Sequence, residues 1–319
     1  MSIDLATNWC ALMSRSSPKT LPSIVQRDFP LERMATIRTG GEAEYFARAG
    51  SGAQLRELLV WARAIEAPVA VVGSGSNLLI ADDGVPGLVV KLDRKLALIQ
   101  HQGQRMVCGG GARLPSVSAR AAQAGLSGIE FGVNIPGSVG GAVRMNANAY
   151  GGRLADTLEW VEIVSAEGSE RRVPEQLGLG YRRSNLGSAE IVARASFLLV
   201  PAAVQEVKAT LAQMRTARHE AQPQGIKTFG STFKNPEDPK AGGRSAGLLL
   251  SEAGCNGLSV GGARFALKHA NFIENIGSAT TGDVIAVMTE GRRLVAERFG
   301  VELEPEVQTL GAVRFPWIS

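Results

Sequence analysis

Glycine placement constrains the fold of this 319-residue chain more than any other feature. There are 38 glycines, and they are clustered: Gly73/Gly75, Gly109-Gly110-Gly111, Gly137/Gly140/Gly141, Gly151-Gly152, Gly242-Gly243 and Gly261-Gly262. No fixed period separates them, which excludes collagen and solenoid architectures. Glycine has no Cβ, so each cluster marks a backbone that approaches another group closely or takes positive φ. The length suits two or three domains with ample core. Hydrophobic content of 45% against 20% charged places the chain among soluble globular proteins.

The formal charge is only +4, without a basic run, and aromatics make up 5%. A nucleic-acid reader gathers positive charge on one face, so no nucleic-acid partner is expected, and the mild excess suits small anionic ligands. The cysteines, Cys10, Cys108 and Cys255, are odd in number, widely spaced and free of any CxxC. Neither a zinc knuckle nor a disulfide framework follows, and no metal site is expected. Reduced cytosolic thiols, each a small buried hydrophobe, are the expectation. Residues 1–19 lack the apolar core of a signal peptide, and no stretch reaches the roughly 18 apolar residues of a membrane span. A cytoplasmic, monomeric protein is expected, with residues 1–30 as a lead-in.

Residues 53–67 carry Leu55, Leu58, Leu59 and Ala62 on one helical stripe. Residues 69–72, 88–92, 105–108, 160–165 and 191–200 read as strands. Residues 114–124 read as a helix, with Pro115 in its first turn and Gly125 as its stop. Further helices are expected at 202–220, 246–253 and 281–299, and a strand-like end at 302–311. A domain boundary is placed near 200, and a split between two lobes near 100. Strands and helices alternate without a clean βαβ repeat, which predicts an α+β fold.

Three segments carry candidate chemistry. Val69-Ala70-Val71-Val72-Gly73-Ser74-Gly75-Ser76-Asn77 is a strand running into a Gly-Ser loop. A dinucleotide fingerprint needs a third glycine and a helix; Leu78 stands there instead, so no Rossmann fold is expected. The loop's free amides still suit a diphosphate, with a plain hairpin as the alternative. Ile135-Pro136-Gly137-Ser138-Val139-Gly140-Gly141-Ala142 has almost no bulk. It is expected to build little core and to wall a large flat cofactor. In Gly230-Ser231-Thr232-Phe233-Lys234-Asn235-Pro236 a hydroxyl sits beside a glycine, and Lys234 and Asn235 supply donors. A polar turn is the bland reading of the same residues.

Together these residues resemble one family, the UDP-N-acetylenolpyruvoylglucosamine reductases (MurB). Gly73 to Leu79 looks like the diphosphate loop of the vanillyl-alcohol-oxidase-type FAD fold, and 135–152 resembles the family's second flavin-contacting stretch. Thr36-Ile37-Arg38-Thr39-Gly40-Gly41, Tyr181-Arg182-Arg183-Ser184, Gly230 to Pro236, Lys268-His269-Ala270-Asn271-Phe272 and Leu303-Glu304-Pro305-Glu306-Val307 match its further motifs in order. The resemblance implies an FAD-binding unit over 31–200 and a smaller α+β substrate unit over 201–319. It implies non-covalent FAD, reduced by NADPH, that gives hydride to C3 of the enolpyruvyl ether of UDP-GlcNAc. Protonation of C2 then yields UDP-N-acetylmuramate, a peptidoglycan precursor.

Residue by residue, the resemblance implies Ser231 as proton donor, with Arg182 and Glu306 flanking the enolate. Arg38, Gly40, Gly73, Ser74, Gly75, Ser76, Asn77, Gly137, Ser138, Gly140, Gly141 and Ala142 correspond to the cofactor site, and Lys234, Asn235 and His269 to the substrate site. A Glu306 that helps an enol needs a raised pKa, which burial and a neighbouring carboxylate would supply. Only 49 positions separate Arg182 from Ser231, which resembles the type II branch. There are departures. His219-Glu220-Ala221-Gln222-Pro223 stands where relatives often have Arg-x-x-Gln-Pro. Two rivals remain: a flavin oxidase of the same fold, and a non-enzymatic nucleotide-sugar module. The oxidases often tether flavin through His or Cys, and none of His101, His219 and His269 lies in a glycine loop.

Overall fold

A computed structural model describes residues 20–318. The expectations for the first nineteen residues, including Cys10, lie outside it.

The first lobe is a four-stranded sheet in the order Val25–Pro30, Glu42–Ala49, Val85–Leu92, Val69–Val71. Its first pair is antiparallel and the other two are parallel. Val85–Leu92 is buried on both faces, as a central parallel strand should be. Helix α1 (Gly52–Ala64) begins at Ser51, whose hydroxyl accepts from the Gln54 amide. Its stripe of Leu55, Leu58, Leu59 and Ala62 is buried as the spacing predicts. The lead-in expected through residue 30 ends earlier, because Val25–Pro30 is an edge strand of this sheet.

The second lobe is a five-stranded antiparallel sheet in the order Ser169–Arg172, Leu158–Val164, Ile191–Leu198, Arg105–Gly109, Ile99–Gln102. Helices α2 (Leu114–Gln123) and α3 (Val139–Arg144) pack on it. The second glycine stretch therefore does not lie bare. Ser138 caps α3, and Val139, Ala142 and Val143 are buried in the lobe's core. Its small residues let the helix sit close to the sheet as well as leaving room beside it. Helix α4 (Val204–Ala221) lies beyond the expected boundary at 200, yet Val207 and Leu211 pack on Ala122 and Val133 of this lobe.

The C-terminal part carries α5 (Ala246–Glu252), α6 (Thr281–Phe299) and a three-stranded sheet over 259–275. Thr280 and Asp283 form a capping box at the start of α6. One continuous core runs from this part into the first lobe. It joins Phe46, Val72, Leu79 and Val89 to Phe233, Leu249, Phe265, Met288 and Val295. Leu78–Ile80 also pairs in parallel with Gln308–Leu310, all that forms of the strand expected over 302–311. Cys108 and Cys255 are fully buried, and burial pushes their thiols up to about 12 and about 11. No described helix is long and apolar enough to cross a membrane.

Candidate active site

Two cavities meet the candidate segments. A cavity of about 490 Å³ lies between the two lobes, lined by Gly73, Ser74, Lys91, Gly110, Ser138 and Gly140 among others. At Gly73 an added Cβ would collide with Ser138 Oγ. Only a glycine lets the first loop lie against the cap of α3. Next along, Gly75 has φ +66, and any side chain there would strike the Met34 carbonyl. Gly73, Ser74, Ser138, Gly140 and Gly141 of the predicted cofactor residues line this cavity. Ala142 is core instead, and Gly137 uses its carbonyl to accept from the Leu114 amide. Arg38 (φ +65) donates to the Arg33 carbonyl, and Gly40 packs against Ile80. These four, and Gly75, Ser76 and Asn77 of the first loop, lie outside the cavity lining.

The first loop then leaves the cavity and joins the serine segment. The Gly75 carbonyl accepts from the Thr36 amide, and Thr36 Oγ1 lies 2.6 Å from the Thr228 carbonyl. Asn77 Nδ2 donates to the Glu306 carbonyl at 3.3 Å, and the Gln308 amide donates to the Asn77 carbonyl. The loop thus touches the Glu306 segment directly and reaches the approach to the serine segment through Thr36.

The serine segment is not a polar turn. Phe229 and Phe233 are fully buried in the shared core, and Thr232 is buried between them. Ser231 bridges to Phe272 and Phe233 to Pro305. The Thr232 carbonyl accepts from the Glu306 amide at 2.9 Å, so Ser231 and Glu306 stand on adjacent chains. Asn271 secures this arrangement. Its Oδ1 accepts from the Phe233 amide and its Nδ2 donates to the Phe233 carbonyl, both at 2.9 Å, while its own carbonyl accepts from the Thr232 amide. An amide side chain here imitates a strand.

Arg182 arrives from the second lobe. Gly180 and Arg183 exchange backbone hydrogen bonds, so Tyr181 and Arg182 form the tip of a tight turn. Arg182 has φ +56, a conformation that costs a non-glycine residue about 1–3 kcal/mol. Asn146, just after α3, holds the turn by donating to the Gly180 carbonyl. Arg182 Nε lies 2.7 Å from Glu306 Oε1, with the side chains 19% and 14% exposed. The Nε–H is buried but not aligned on a hydrogen-bond acceptor. The contact is therefore a close ion pair in which the Nε–H is poorly aligned. Burial pushes the Glu306 carboxyl up, against the pull of Arg182 and then Lys234. No neighbouring carboxylate contributes to this shift, contrary to the sequence-based expectation.

Beside this pair is a second cavity of about 520 Å³, lined by Tyr181, Arg183, Lys234, Asn235, Glu302 and Glu304 among others. Lys234 pairs with Glu304 at 3.1 Å, and Asn235 Oδ1 accepts from the Ala246 amide. His269 lies apart from that lining. Its ring meets Phe272 edge-on, and Nδ1 accepts from the Asn271 amide. Desolvation lowers its pKa, which suits a neutral acceptor closing a turn. Thr36, Asn146 and Asn271 carried no role in the sequence reading, although all three fall inside the matched stretches.

The inter-lobe cavity fits FAD. It has a glycine-lined wall at Gly73 and Ser138, and cations at Lys91 and Arg113 for a diphosphate. A model of the FAD binding domain matches residues 43–174, and one of the UDP-N-acetylenolpyruvoylglucosamine reductase C-terminal domain matches 222–310. The reductase of that name from Agathobacter rectalis is 39% identical over 93% of this chain and 98% of its own length. That of Acidiphilium cryptum is 42% identical over 89% and 90%. The crystal structure of the Thermus caldophilus reductase (MurB) superposes with a TM-score of 0.77 at 38% identity, covering 90% of this chain and 98% of its own. These likenesses set aside the oxidase and the non-enzymatic module. With an FAD-binding unit, the matching C-terminal domain and relatives along nearly its whole length, the chain belongs to the UDP-N-acetylenolpyruvoylglucosamine reductase family.

Proposed function

We propose that the chain reduces the enolpyruvyl ether of UDP-GlcNAc to UDP-N-acetylmuramate with electrons from NADPH, and that Ser231, Arg182 and Glu306 carry the substrate half of the reaction. One observation carries this reading. Arg182 of the second lobe and Glu306 of the C-terminal part pair at 2.7 Å, and the Glu306 backbone is hydrogen-bonded to the residue after Ser231. When bound, FAD supplies the two-electron relay between NADPH and the alkene, with hydride arriving at C3 of the substrate.

Negative charge then develops at C2 and on the substrate carboxylate. Arg182 is a permanent planar cation, and it offsets that charge in a partly dry site. Ser231 hands its hydroxyl proton to C2. Serine is a weak acid, so the step needs a strongly basic carbon and a hydroxyl held in register. The bonds of Asn271 and Glu306 to its neighbours supply that register. Glu306, whose carboxyl burial pushes up, would hydrogen-bond the enolic oxygen. The cavity of Tyr181, Lys234 and Asn235 would take the rest of the sugar nucleotide. We assign the cofactor to the two lobes and the substrate to the part following α4.

Ser231→Ala tests the assignment by separating the half-reactions. Flavin reduction by NADPH should stay near wild type. Reoxidation by the enolpyruvyl sugar nucleotide should slow by about 10²–10⁴-fold, the usual worth of general acid catalysis. Two normal half-reactions would remove Ser231 as the acid.

A further inference from the structure

The cofactor cavity contains two cations that none of the sequence motifs includes. Lys91 stands on the strand Val85–Leu92, and Arg113 immediately precedes α2; both line the cavity with Gly73, Ser74 and Ser138. The other charged groups in that lining are committed to the protein. Arg144 donates to the carbonyls of Leu186, Gly187 and Glu190. Glu190 pairs with Arg172, and Asp93 caps the Arg94 amide.

Lys91 is different. Its ammonium has three donors, and the protein's described residues take one of them: Nζ donates to the Gly73 carbonyl at 2.6 Å. Burial, followed by the charges of Arg48 and Arg113, holds the amine below the ordinary lysine range, and Asp93 alone pulls the other way. This corner has more positive charge than the protein balances. It lies where the first glycine loop enters the cavity. The loop's own groups at the cavity, its amides and the Ser74 hydroxyl, are neutral and do not cancel a dianion.

We propose that Lys91 is the principal cationic partner of the FAD diphosphate, its ammonium joining the Gly73 carbonyl to a phosphate oxygen, with Arg113 as a second cation further out. This rests on the reading of the inter-lobe cavity as the FAD site. A lysine held by the loop's own carbonyl couples the loop's shape to the charge it must meet.

The test uses flavin-stripped full-length protein with Lys91→Met and Lys91→Arg. Binding of FAD and riboflavin is read by flavin fluorescence, and binding of ADP by calorimetry. Lys91→Met should weaken FAD and ADP by about tenfold to a hundredfold, the worth of a hydrogen bond to a charged group. Riboflavin, which has no phosphate, should bind as to wild type, and Lys91→Arg should recover most of the loss. Equal FAD and ADP affinities in Lys91→Met and wild type would overturn the proposal. So would an equal loss for riboflavin, which would make Lys91 only a brace for the Gly73 loop. If Lys91→Met does not fold, wild-type protein still decides: FAD binding should weaken with rising salt while riboflavin binding does not, and a flat FAD response refutes the idea. Wild-type apoprotein that takes up no FAD would instead sink the cofactor reading itself.

Discussion

Asn271→Ala gives the most direct measure of how the serine segment is held. Asn271 is 5% exposed and Phe233 is fully buried. The substitution deletes two 2.9 Å hydrogen bonds and leaves the Phe233 N–H and C=O buried without partners. Each orphaned buried group costs about 1–3 kcal/mol, so the pair should cost about 2–6 kcal/mol. That is a large share of a typical stability of about 5–15 kcal/mol. Urea denaturation of the FAD-loaded protein should show a lower midpoint with an unchanged slope. The function should fail unevenly. Ser231 lies two residues before Phe233, and only the backbone bridges of this segment to Phe272, Asn271 and Glu306 remain to hold it. Reoxidation by substrate should slow while reduction by NADPH persists. A variant within about 0.5 kcal/mol of wild type, the range of an inconsequential surface change, would refute the reasoning. Equal slowing of both half-reactions would show that Asn271 does not act through Ser231.

Arg182→Lys should keep the positive charge but lose the fork, and a point charge does not replace a planar guanidinium; stopped-flow reoxidation should slow at least about tenfold, or about 1.4 kcal/mol of barrier, with FAD affinity unchanged, and a wild-type rate would make charge alone sufficient. Glu306 has a folded pKa raised by burial, so the folded protein holds this proton more tightly than the unfolded chain does. The stability contributed by that proton is present below the unfolded value of about 4.3 and is lost as pH rises from there through the folded value. Wild type should therefore lose stability relative to Glu306→Gln across that mildly acidic window, as read by urea melts at stepped pH. A difference that stays flat, or changes in the opposite direction, would show that the Arg182 ion pair outweighs burial.

Much of this protein is local and so was legible in its residues. The stripe of Leu55, Leu58, Leu59 and Ala62 defined α1, and 281–299 was read as the helix that forms, because helical periodicity and capping act within a few residues. Clustered glycines located the close approach at Gly73, since few other residues tolerate it. The motif containing Ser231 was visible for the same reason. What the motifs did not reveal was which segments would share a core. The stretch 135–152 looked bare, but Val139, Ala142 and Val143 face a sheet that assembles from distant strands. A boundary at 200 looked natural, yet α4 buries Val207 and Leu211 against the second lobe, and the first lobe shares its core with the C-terminal part. The pairing of Arg182 with Glu306 is a fact of tertiary structure, as are the grip of Asn271 on Phe233 and the place of Lys91 beside Gly73. Sequence alone specified which side chains were available and where the backbone could bend. Distances, burial and the resulting charge balance were decided only when packing brought segments more than a hundred residues apart to within 3 Å, because ion pairing and desolvation depend on separation in space and not along the chain.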